Sequence, residues 1–370
     1  MHNVHRPFSR LICHEFSFAE HFFAMLRITF KNLEAFFHYY FFVTNNQTKA
    51  IIGTAVAVGT AVAGLAYLYK RNAKETVPTK WKQVGEIIDL NCFPIKSCAP
   101  VKRASFECNL LGFEYESIFD RCFIIVQGEK QLTARTYPKM VLIQPKVVGN
   151  VLIISAPERA DFVLNLDKLA DLTPNRNVEL WYSKVGGVDC GDDVANWLSE
   201  CIVGKPGVVR LLYYRHLYPT KGRKKGDPSK YKAYKSEDVG IYQDESSYML
   251  INQASIDELN THLDHVVKPL QFRPTMVVKG PTAYEEDNWK WVRIGDVVFR
   301  GLKPCQRCVF TNINPDNGER NPAREPLETL KKTRTLIPNE SPVMGLHLAI
   351  RTQGAITIGD AVYINDESEA

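Results

Sequence analysis

Two cysteines, Cys305 and Cys308, stand three positions apart with Arg307 between them, shortly after the strand-like apolar run of residues 297–299. A thiolate suits a soft metal, and a neighbouring guanidinium can hold an anion in a fixed fork geometry. A metal and an anion bound at one point suggest a metal cofactor that carries a phosphate. The spacing alone leaves other interpretations open, because half of a zinc site, a redox pair or two buried thiols would show the same pattern.

Four further short segments could serve an anion-bearing cofactor. Lys96 and Ser97 offer an ammonium and a hydroxyl, and Ser246 offers another hydroxyl within the run Asp-Glu-Ser-Ser. Arg121 precedes a strand-like run, and Arg273 stands before a proline that stiffens the connection. Taken singly, each of these is more often a surface ion pair or a turn. Their joint presence with the cysteine pair is what favours a cofactor site.

The composition is that of a globular protein, because 24% of the 370 residues are charged and 45% are hydrophobic. A chain of this length can hold two domains with sizeable cores. The net charge of +5 gives little support to a nucleic-acid-binding function. The nine cysteines are an odd number without a regular spacing, which fits a reducing compartment better than a disulfide scaffold.

The N-terminal region predicts one membrane anchor. Residues 51–69 carry no charge and have about the length of a single bilayer crossing. Three basic residues follow within residues 70–74, and this flank predicts that the bulk of the protein faces the cytosol. Residues 70–84 then form a polar tether. Residues 1–50 are rich in aromatic residues but also carry charges, and we interpret them as an extension of unknown role.

From residue 84 onward the sequence changes to short β-rich runs separated by turn residues, which predicts a strand-dominated α+β fold. The predicted strands include residues 84–88, 123–126, 141–143, 151–154 and 178–182. Helices are few: one is predicted over residues 192–198, one begins with a capping box at Ser255, and one opens over residues 325–330. Residues 354–363 predict two strands that would suit the closing pair of a β-barrel.

A basic loop over residues 221–235 contains seven lysines and arginines. Its simplest interpretation is a solvated surface loop. It could also dock an acidic partner protein or an anionic membrane surface. Nucleic acid is the weaker expectation, because no aromatic RNA-binding motif accompanies the loop.

Several of these segments, in this order, resemble the MOSC (molybdenum cofactor sulfurase C-terminal) family, and within it the mitochondrial amidoxime-reducing components. The resemblance rests on residues 93–98, 120–121, 272–274, 305–308, 324–330 and 354–363. It implies a MOSC N-terminal β-rich domain over residues 85–220 and a MOSC β-barrel domain over residues 221–368, preceded by one transmembrane helix. It also implies a single-pass protein of the mitochondrial outer membrane whose catalytic domain faces the cytosol.

By this resemblance, Cys308 would ligate molybdenum and would be the catalytic residue. The residues expected to bind the molybdenum–molybdopterin cofactor are Lys96, Ser97, Arg121, Ser246, Arg273, Thr275, Gln306, Arg307, Cys308 and His347. Some positions depart from the family pattern: Thr275 replaces the usual asparagine, Gln306 a serine and His347 a tyrosine. Glu245 likewise stands where threonine is common.

The resemblance implies an oxidoreductase that uses its molybdenum cofactor to remove oxygen from N-hydroxylated substrates such as amidoximes and hydroxylamines. Electrons would come from NADH through cytochrome b5 and its reductase, because the chain has no flavin, haem or Gly-x-Gly-x-x-Gly dinucleotide motif of its own. Detoxification and pyridoxal phosphate binding are further family-level expectations.

Two other functions stay open at this point. A non-catalytic carrier of the molybdenum cofactor would share the fold and the bound pterin but would reduce nothing. A structural zinc site would need two cysteines besides the pair, taken from Cys92, Cys98 and Cys122.

Overall fold

The first strand begins at Trp81, and from there the chain folds mainly as β-sheet. The computed structural model describes residues 76–116, 118–180, 183–214, 234–235, 238–338 and 340–365. The predicted N-terminal extension, the predicted membrane anchor and most of the basic loop lie outside these residues. Within the described ranges, no helix combines the length and the apolar character needed to cross a membrane.

Twenty strands lie in the described ranges and confirm the β-rich fold. The first ten are β1 (Trp81–Cys92), β2 (Val101–Lys102), β3 (Ser105–Asn109), β4 (Gly112–Tyr115), β5 (Ile118–Phe119), β6 (Phe123–Gln127), β7 (Lys130–Gln131), β8 (Gln144–Val148), β9 (Val151–Ala156) and β10 (Arg159–Asn165). The other ten are β11 (Arg176–Leu180), β12 (Ser183–Asp189), β13 (Arg210–Tyr213), β14 (Tyr248–Asn252), β15 (Met276–Lys279), β16 (Trp291–Ile294), β17 (Val297–Gln306), β18 (Val343–Thr352), β19 (Gly354–Thr357) and β20 (Ala361–Asn365).

Three α-helices and five short 3₁₀ helices connect the strands of this described part. The α-helices are α1 (Asp192–Val203), α2 (Gln253–Asn260) and α3 (Leu327–Thr333). The 3₁₀ helices are Pro138–Leu142, Leu166–Leu169, Pro269–Phe272, Glu285–Asn288 and Val309–Asn312. The three predicted helices are therefore present, although their bounds differ from the predicted ones.

The largest sheet closes on itself as a barrel. Its order is β15-β14-β18-β17-β16-β20-β1-β2, and β15 also pairs with β1. Neighbours around the ring are antiparallel except for the parallel pair β14 and β15. At Gly301 in β17, a Cβ atom would lie 2.0 Å from the carbonyl oxygen of Trp289, so only glycine lets the two backbones pass this closely.

The remaining strands are β3 to β13 and β19. β11, β12, β13, β6 and β7 form a second closed barrel, β8 to β10 form a three-stranded sheet, and β19, β3, β4 and β5 form a four-stranded sheet. One large buried apolar cluster includes residues from the first strand and the last. A smaller cluster contains Met249, Phe272, Cys305 and Met344, and it also includes residues of α2 and α3.

The predicted capping box at Ser255 is wrong. Helix α2 begins earlier, and the side chain of Asn252 caps it by accepting a hydrogen bond from the Ala254 backbone N–H at 3.1 Å. The Ser255 hydroxyl instead donates to the buried carboxylate of Glu286, with both oxygen atoms at 2.9 Å. The local pattern assigns the Ser255 side chain to the helix end, but this side chain is bonded to Glu286, which is distant in the sequence.

Two strand predictions also change. Residues 141–143 do not form a strand, because Pro138 opens the 3₁₀ helix Pro138–Leu142, for which its fixed φ is suited. Residues 354–363 do form two strands, but they do not close a barrel as a pair. Only β20 joins the large barrel, between β1 and β16, whereas β19 pairs with β3 in another sheet.

Candidate cofactor site

Every residue predicted to bind the cofactor lines one cleft of about 190 Å³. The large barrel supplies most of them, from the segment before β14, the end of β17, the middle of β18 and the connection between Pro269–Phe272 and β15. Lys96 and Ser97 come from the loop after β1, and Arg121 comes from the turn after β5. Folding therefore gathers side chains that are far apart in the sequence.

Cys308 is exposed in this cleft, whereas Cys305 is buried. Strand β17 continues to Gln306, so Cys305 belongs to the strand and Cys308 caps the 3₁₀ helix Val309–Asn312 that follows. Among the cysteines of the described part, Cys308 is the only one classed as exposed. Burial raises the pKa of the Cys305 thiol above its ordinary value, which disfavours its thiolate form. Cys308 is therefore the thiol that a ligand in the cleft can reach.

Arg273 is the side chain of the cleft that most clearly needs a ligand. Its guanidinium lies over the Phe93 ring at 4.1 Å and over the Phe310 ring at 5.1 Å. Its Nη2 atom is shielded from solvent and has no hydrogen-bond partner among the described residues. Burial, with a further effect from the nearby charge of Arg121, lowers the pKa of Arg273 to about 9. An anion bound here would satisfy both the unused donor and the unfavourable charge.

Arg121 reinforces this cationic side of the cleft. Its guanidinium lies over the same Phe93 ring at 4.4 Å and pairs with the buried carboxylate of Asp120. Asp120 also accepts a hydrogen bond from the Phe93 backbone N–H at 2.8 Å. The Asp120 carboxylate therefore holds the backbone of Phe93, whose ring contacts both guanidinium groups. The same carboxylate orients the guanidinium of Arg121.

Lys96 is buried beside these arginines but already has partners. Its ammonium donates to the Asp244 carboxylate and to the Tyr242 carbonyl oxygen, both at 2.6 Å. Burial lowers the pKa of Lys96, and the charge of Asp244 opposes that change. The neighbouring Ser97 has a left-handed backbone with φ of 71°. This conformation turns the chain sharply at the edge of the cleft.

The guanidinium of Arg307 donates hydrogen bonds to backbone carbonyl oxygens inside the protein. Nε and Nη2 donate to the Met344 carbonyl oxygen at 2.9 and 2.5 Å, and Nη1 donates to the Phe272 carbonyl oxygen at 2.9 Å. These bonds connect the start of β18 to the 3₁₀ helix that precedes Arg273. The side chain thus braces the wall of the cleft, and its predicted contact with the cofactor stays a prediction.

Thr275 and Gln306 are also engaged within the protein. The Thr275 hydroxyl donates to the Met249 carbonyl oxygen and accepts from the Met249 backbone N–H, each at 2.9 Å. The exposed amide of Gln306 donates to Glu340 at 3.0 Å. Their roles toward a cofactor likewise stay predictions.

Ser246 and His347 form a hydrogen-bonded pair, with 2.8 Å between the hydroxyl oxygen and Nδ1. Ser246 donates its one hydroxyl hydrogen to the Tyr248 carbonyl oxygen at 2.7 Å, so the Nδ1 atom must supply the hydrogen of the contact. The Nε2 atom of neutral His347 is then an acceptor. Burial, and the positive charges of Lys303 and Arg307, lower its pKa well below the ordinary value.

Several residues that line or support the cleft were not among the predicted site residues. Asp244 holds Lys96, and Phe93 carries both arginines, although both belong to segments already noted. Lys303 lies opposite His347 across β17 and β18, and its ammonium is 3.2 Å from the Glu245 carboxylate. The strand alternation of β17 is the one signal that could have placed Lys303 on the buried side with Cys305.

The described part of the chain contains no preformed structural zinc site. No group of three or more His, Cys, Asp or Glu side chains in the described ranges is arranged to hold a metal ion. The additional cysteines that the zinc alternative requires, Cys92, Cys98 and Cys122, are all buried. The cleft offers a single exposed thiol instead, which suits a cofactor that brings its other metal ligands with it.

The chain also matches family models over most of the described part. Residues 84–205 match the MOSC N-terminal beta barrel domain, and residues 237–363 match the MOSC domain. The chain belongs to the MOSC family. The predicted boundary at residues 220 and 221 falls outside the described residues and stays a prediction.

The curated relatives of this MOSC protein include three whose matches cover more than four fifths of this chain. Mitochondrial amidoxime-reducing component 1 of Mus musculus is 32% identical over 332 residues, which are 88% of this chain and 95% of that protein. The Homo sapiens component 1 is 31% identical over 325 residues, with 85% and 93% covered. Mitochondrial amidoxime reducing component 2 of Rattus norvegicus is 33% identical over 314 residues, with 83% and 91% covered.

Proposed function

We propose that this protein is a molybdenum-cofactor-dependent oxidoreductase that removes oxygen from N-hydroxylated compounds such as amidoximes and hydroxylamines. Membership of the MOSC family supports the cofactor, and the names of the relatives support the reaction class. The net reaction consumes two electrons and two protons, converts the N–OH group to N–H and releases water.

One observation carries the proposal: the exposed thiol of Cys308 lines the same cleft as the Arg273 guanidinium, whose Nη2 atom has no hydrogen-bond partner in the described part of the chain. The first group can ligate a soft metal and the second requires an anion. A molybdenum–molybdopterin cofactor presents both a metal and a phosphate, so the donor set fits it. When bound, the cofactor supplies the two-electron chemistry of N–O reduction.

The residues of the chain then have separate tasks. Cys308 supplies the thiolate, while Arg121, Arg273 and Lys96 supply positive charge for the phosphate. Ser97 and Ser246 add hydroxyls at the edges of the cleft, and the remaining predicted residues hold its walls. The cationic cleft wall is preorganised, because the Phe93 ring and the Asp120 carboxylate fix the guanidinium groups before any ligand arrives.

We further propose that electrons reach the site from NADH through cytochrome b5 and its reductase. The absence of a flavin, haem or dinucleotide motif in the sequence supports an external donor. The names of the relatives support a mitochondrial location. The uncharged run of residues 51–69 with its basic flank supports a single-pass anchor in the outer membrane, with the catalytic part in the cytosol.

The test is to purify the full-length chain in detergent and measure molybdenum, zinc and pterin per chain. Benzamidoxime reduction is then assayed with NADH, cytochrome b5 and its reductase. Cys308→Ala should abolish reduction and lower the molybdenum content, while the matched Cys305→Ala should keep both. Molybdenum and pterin without reduction would identify a carrier, and zinc without pterin would overturn the cofactor assignment.

A further inference from the structure

A second cavity, of about 580 Å³, adjoins the cofactor cleft. Gln271, Arg273 and Phe310 line both spaces. The partition between them consists of the 3₁₀ helices Pro269–Phe272 and Val309–Asn312, which are tied together by a 3.1 Å hydrogen bond from the Gln271 amide to the Thr311 carbonyl oxygen. The second helix starts directly after Cys308, so whatever touches this partition lies close to the proposed metal ligand.

The walls of the second cavity are mainly apolar. Its apolar lining includes Val101, Val141, Leu142, Leu270, Phe310 and Ile313. Binding cavities for small organic molecules have volumes of about 300–1,000 Å³ and are lined largely in this way. The cavity therefore has the size and surface for an aliphatic or aromatic body.

The charged groups around the cavity leave an excess of positive charge. Lys102 is 2.7 Å from the Asp89 carboxylate, and the Asp316 carboxylate is 2.5 Å from the Lys268 ammonium. Both of these charges are thereby compensated. Lys146 is exposed at the lining and makes no ion pair or hydrogen bond through its ammonium with any described residue. Together with the Arg273 guanidinium in the shared wall, it favours a ligand with a negatively charged head.

We propose that this cavity is a binding site for an organic anion. The apolar or aromatic body of the ligand would lie against the walls that contain Val101 and Leu270, and its acidic head would lie at Lys146. Such a ligand would contact Phe310 and Arg273 from the side opposite the cofactor. The same chemistry could belong to a carboxylate effector or to the body of an acidic N-hydroxylated substrate. Binding itself does not depend on the proposed reductase function, so the two can fail separately.

The experiment uses the full-length protein with its bound cofactor and a matched set of naphthalene ligands. Isothermal titration calorimetry measures the binding of naphthalene-2-carboxylate and of the neutral naphthalene-2-carboxamide. We expect one carboxylate per chain and binding of the carboxamide weaker by about twofold to fivefold, as the loss of one exposed charge pair would give. Equal binding of the two compounds, or no binding of the carboxylate, would overturn the proposal.

Two variants locate the bound ligand. Lys146→Glu should weaken carboxylate binding about threefold or more without changing carboxamide binding, and Val101→Trp should weaken the binding of both by placing a bulky ring against the apolar wall. Lys168→Glu is the matched control, because Lys168 is another exposed lysine that lines neither the cleft nor this cavity. Carboxylate binding that is weakened equally by Lys146→Glu and Lys168→Glu, or is unaffected by Lys146→Glu, would place the ligand elsewhere and refute the site.

The source of the ligand follows from competition. The amidoxime 6-(N'-hydroxycarbamimidoyl)naphthalene-2-carboxylate keeps a carboxylate for Lys146 at one end of its ring system. Two-electron reduction of its N-hydroxyl group at the other end gives the amidine and water. If naphthalene-2-carboxylate inhibits this reduction competitively, the cavity holds the body of the substrate. If inhibition or activation is non-competitive, the cavity is an effector site. A protein that binds the carboxylate but reduces nothing would keep this site and reject the proposed function.

Discussion

The ammonium of Lys96 lies 2.6 Å from the Asp244 carboxylate, although the lysine side chain is only 8% exposed and the aspartate side chain is 49% exposed. The ion pair joins the loop after β1 to the segment before β14 at the edge of the cleft. Because half of its partner is in water, the pair contributes only about 1 kcal/mol or less to the free energy of unfolding. Removing the charge of Lys96 should therefore test its function with little loss of stability.

Lys96→Met should lower cofactor retention about tenfold or more, because it removes a charge-assisted hydrogen bond worth roughly 1.5–3 kcal/mol to a bound phosphate. Asp244→Asn is the matched control, since it removes the ion pair but keeps the ammonium. The measurement is pterin per chain after dialysis, together with the thermal unfolding midpoint. Equal loss in both variants would show that the ion pair, and not the positive charge, supports the cofactor.

Arg307→Lys should destabilise the protein even without cofactor. A lysine cannot reproduce the bonds from the guanidinium to the carbonyl oxygens of Met344 and Phe272, and a buried carbonyl without a partner costs about 1–3 kcal/mol. We expect the free energy of unfolding in urea to fall by about 2–3 kcal/mol. Gln306→Ala, an exposed neighbour, should change it by less than about 0.5 kcal/mol. An unchanged stability of cofactor-free Arg307→Lys would contradict the bracing role.

The alternation of β17 shows what the sequence could and could not reveal about the site. In the sequence, Cys305 and Cys308 form one pair shortly after the apolar run of residues 297–299, whereas the strand continues to Gln306. Cys305 and Arg307 are buried and Gln306 and Cys308 are exposed, so the alternation of the strand continues for two residues past its end. The ordered segments predicted a set of residues that line one cleft, and the contact of these residues with a cofactor stays a prediction. Which of the side chains face a ligand depended on where the strand ends, and the local pattern does not determine that.

Long-range partners explain the other differences. Ser255 was expected to cap a helix, but Glu286 lies 31 positions away and takes its hydroxyl. Thr275 lines the cleft, and its hydroxyl bridges to Met249 in the neighbouring strand, while its contact with the cofactor stays a prediction. In each case a polar side chain is used by a contact that only the tertiary fold creates. Most element types were predictable from apolar runs and turn residues, with residues 141–143 as an exception. The partners of single hydroxyl groups were not predictable.

His347 should be neutral, with its hydrogen on Nδ1, at pH values where histidine is ordinarily charged. Burial lowers its pKa well below the ordinary 6.5, and the Ser246 hydroxyl accepts the Nδ1 hydrogen. Nitrogen chemical shifts measured by NMR from pH 7.5 down to 5 should show a single neutral tautomer. A titration midpoint near 6.5 would contradict this assignment.

The lowered pKa of His347 also has a consequence for stability. Below pH 6.5 the unfolded chain binds a proton that folded His347 does not, so the contribution is complete above 6.5 and is lost as the pH falls toward the folded pKa. In His347→Gln this loss should disappear, while Ser246→Ala should retain it because the ring stays buried. Urea unfolding from pH 7.5 to 5 measures the difference. Parallel curves for the parent and His347→Gln would refute the prediction.

Glu286 should give the opposite pH dependence. Its side chain is 0% exposed, and burial raises its pKa above the ordinary 4.5, with a smaller effect from the neighbouring charge of Asp287. Hydrogen bonds from Ser255 and Asn252 oppose the rise but do not cancel it. Between 4.5 and the folded pKa the folded state binds more protons than the unfolded chain, so stability falls as the pH rises through that window.

Glu286→Gln isolates this effect, because the amide oxygen can still accept the Ser255 hydroxyl hydrogen but cannot ionise. Relative to the variant, the parent should be most stable below pH 4.5 and should lose stability as the pH rises above it, until Glu286 is fully ionised. The free energy of unfolding of both proteins is measured in urea from pH 4 to 8. Glu258→Gln is the matched control, since Glu258 is an exposed carboxylate of the same helix as Ser255. A parent that gains stability over Glu286→Gln as the pH rises would show that the hydrogen bonds of the ionised carboxylate outweigh the cost of its burial.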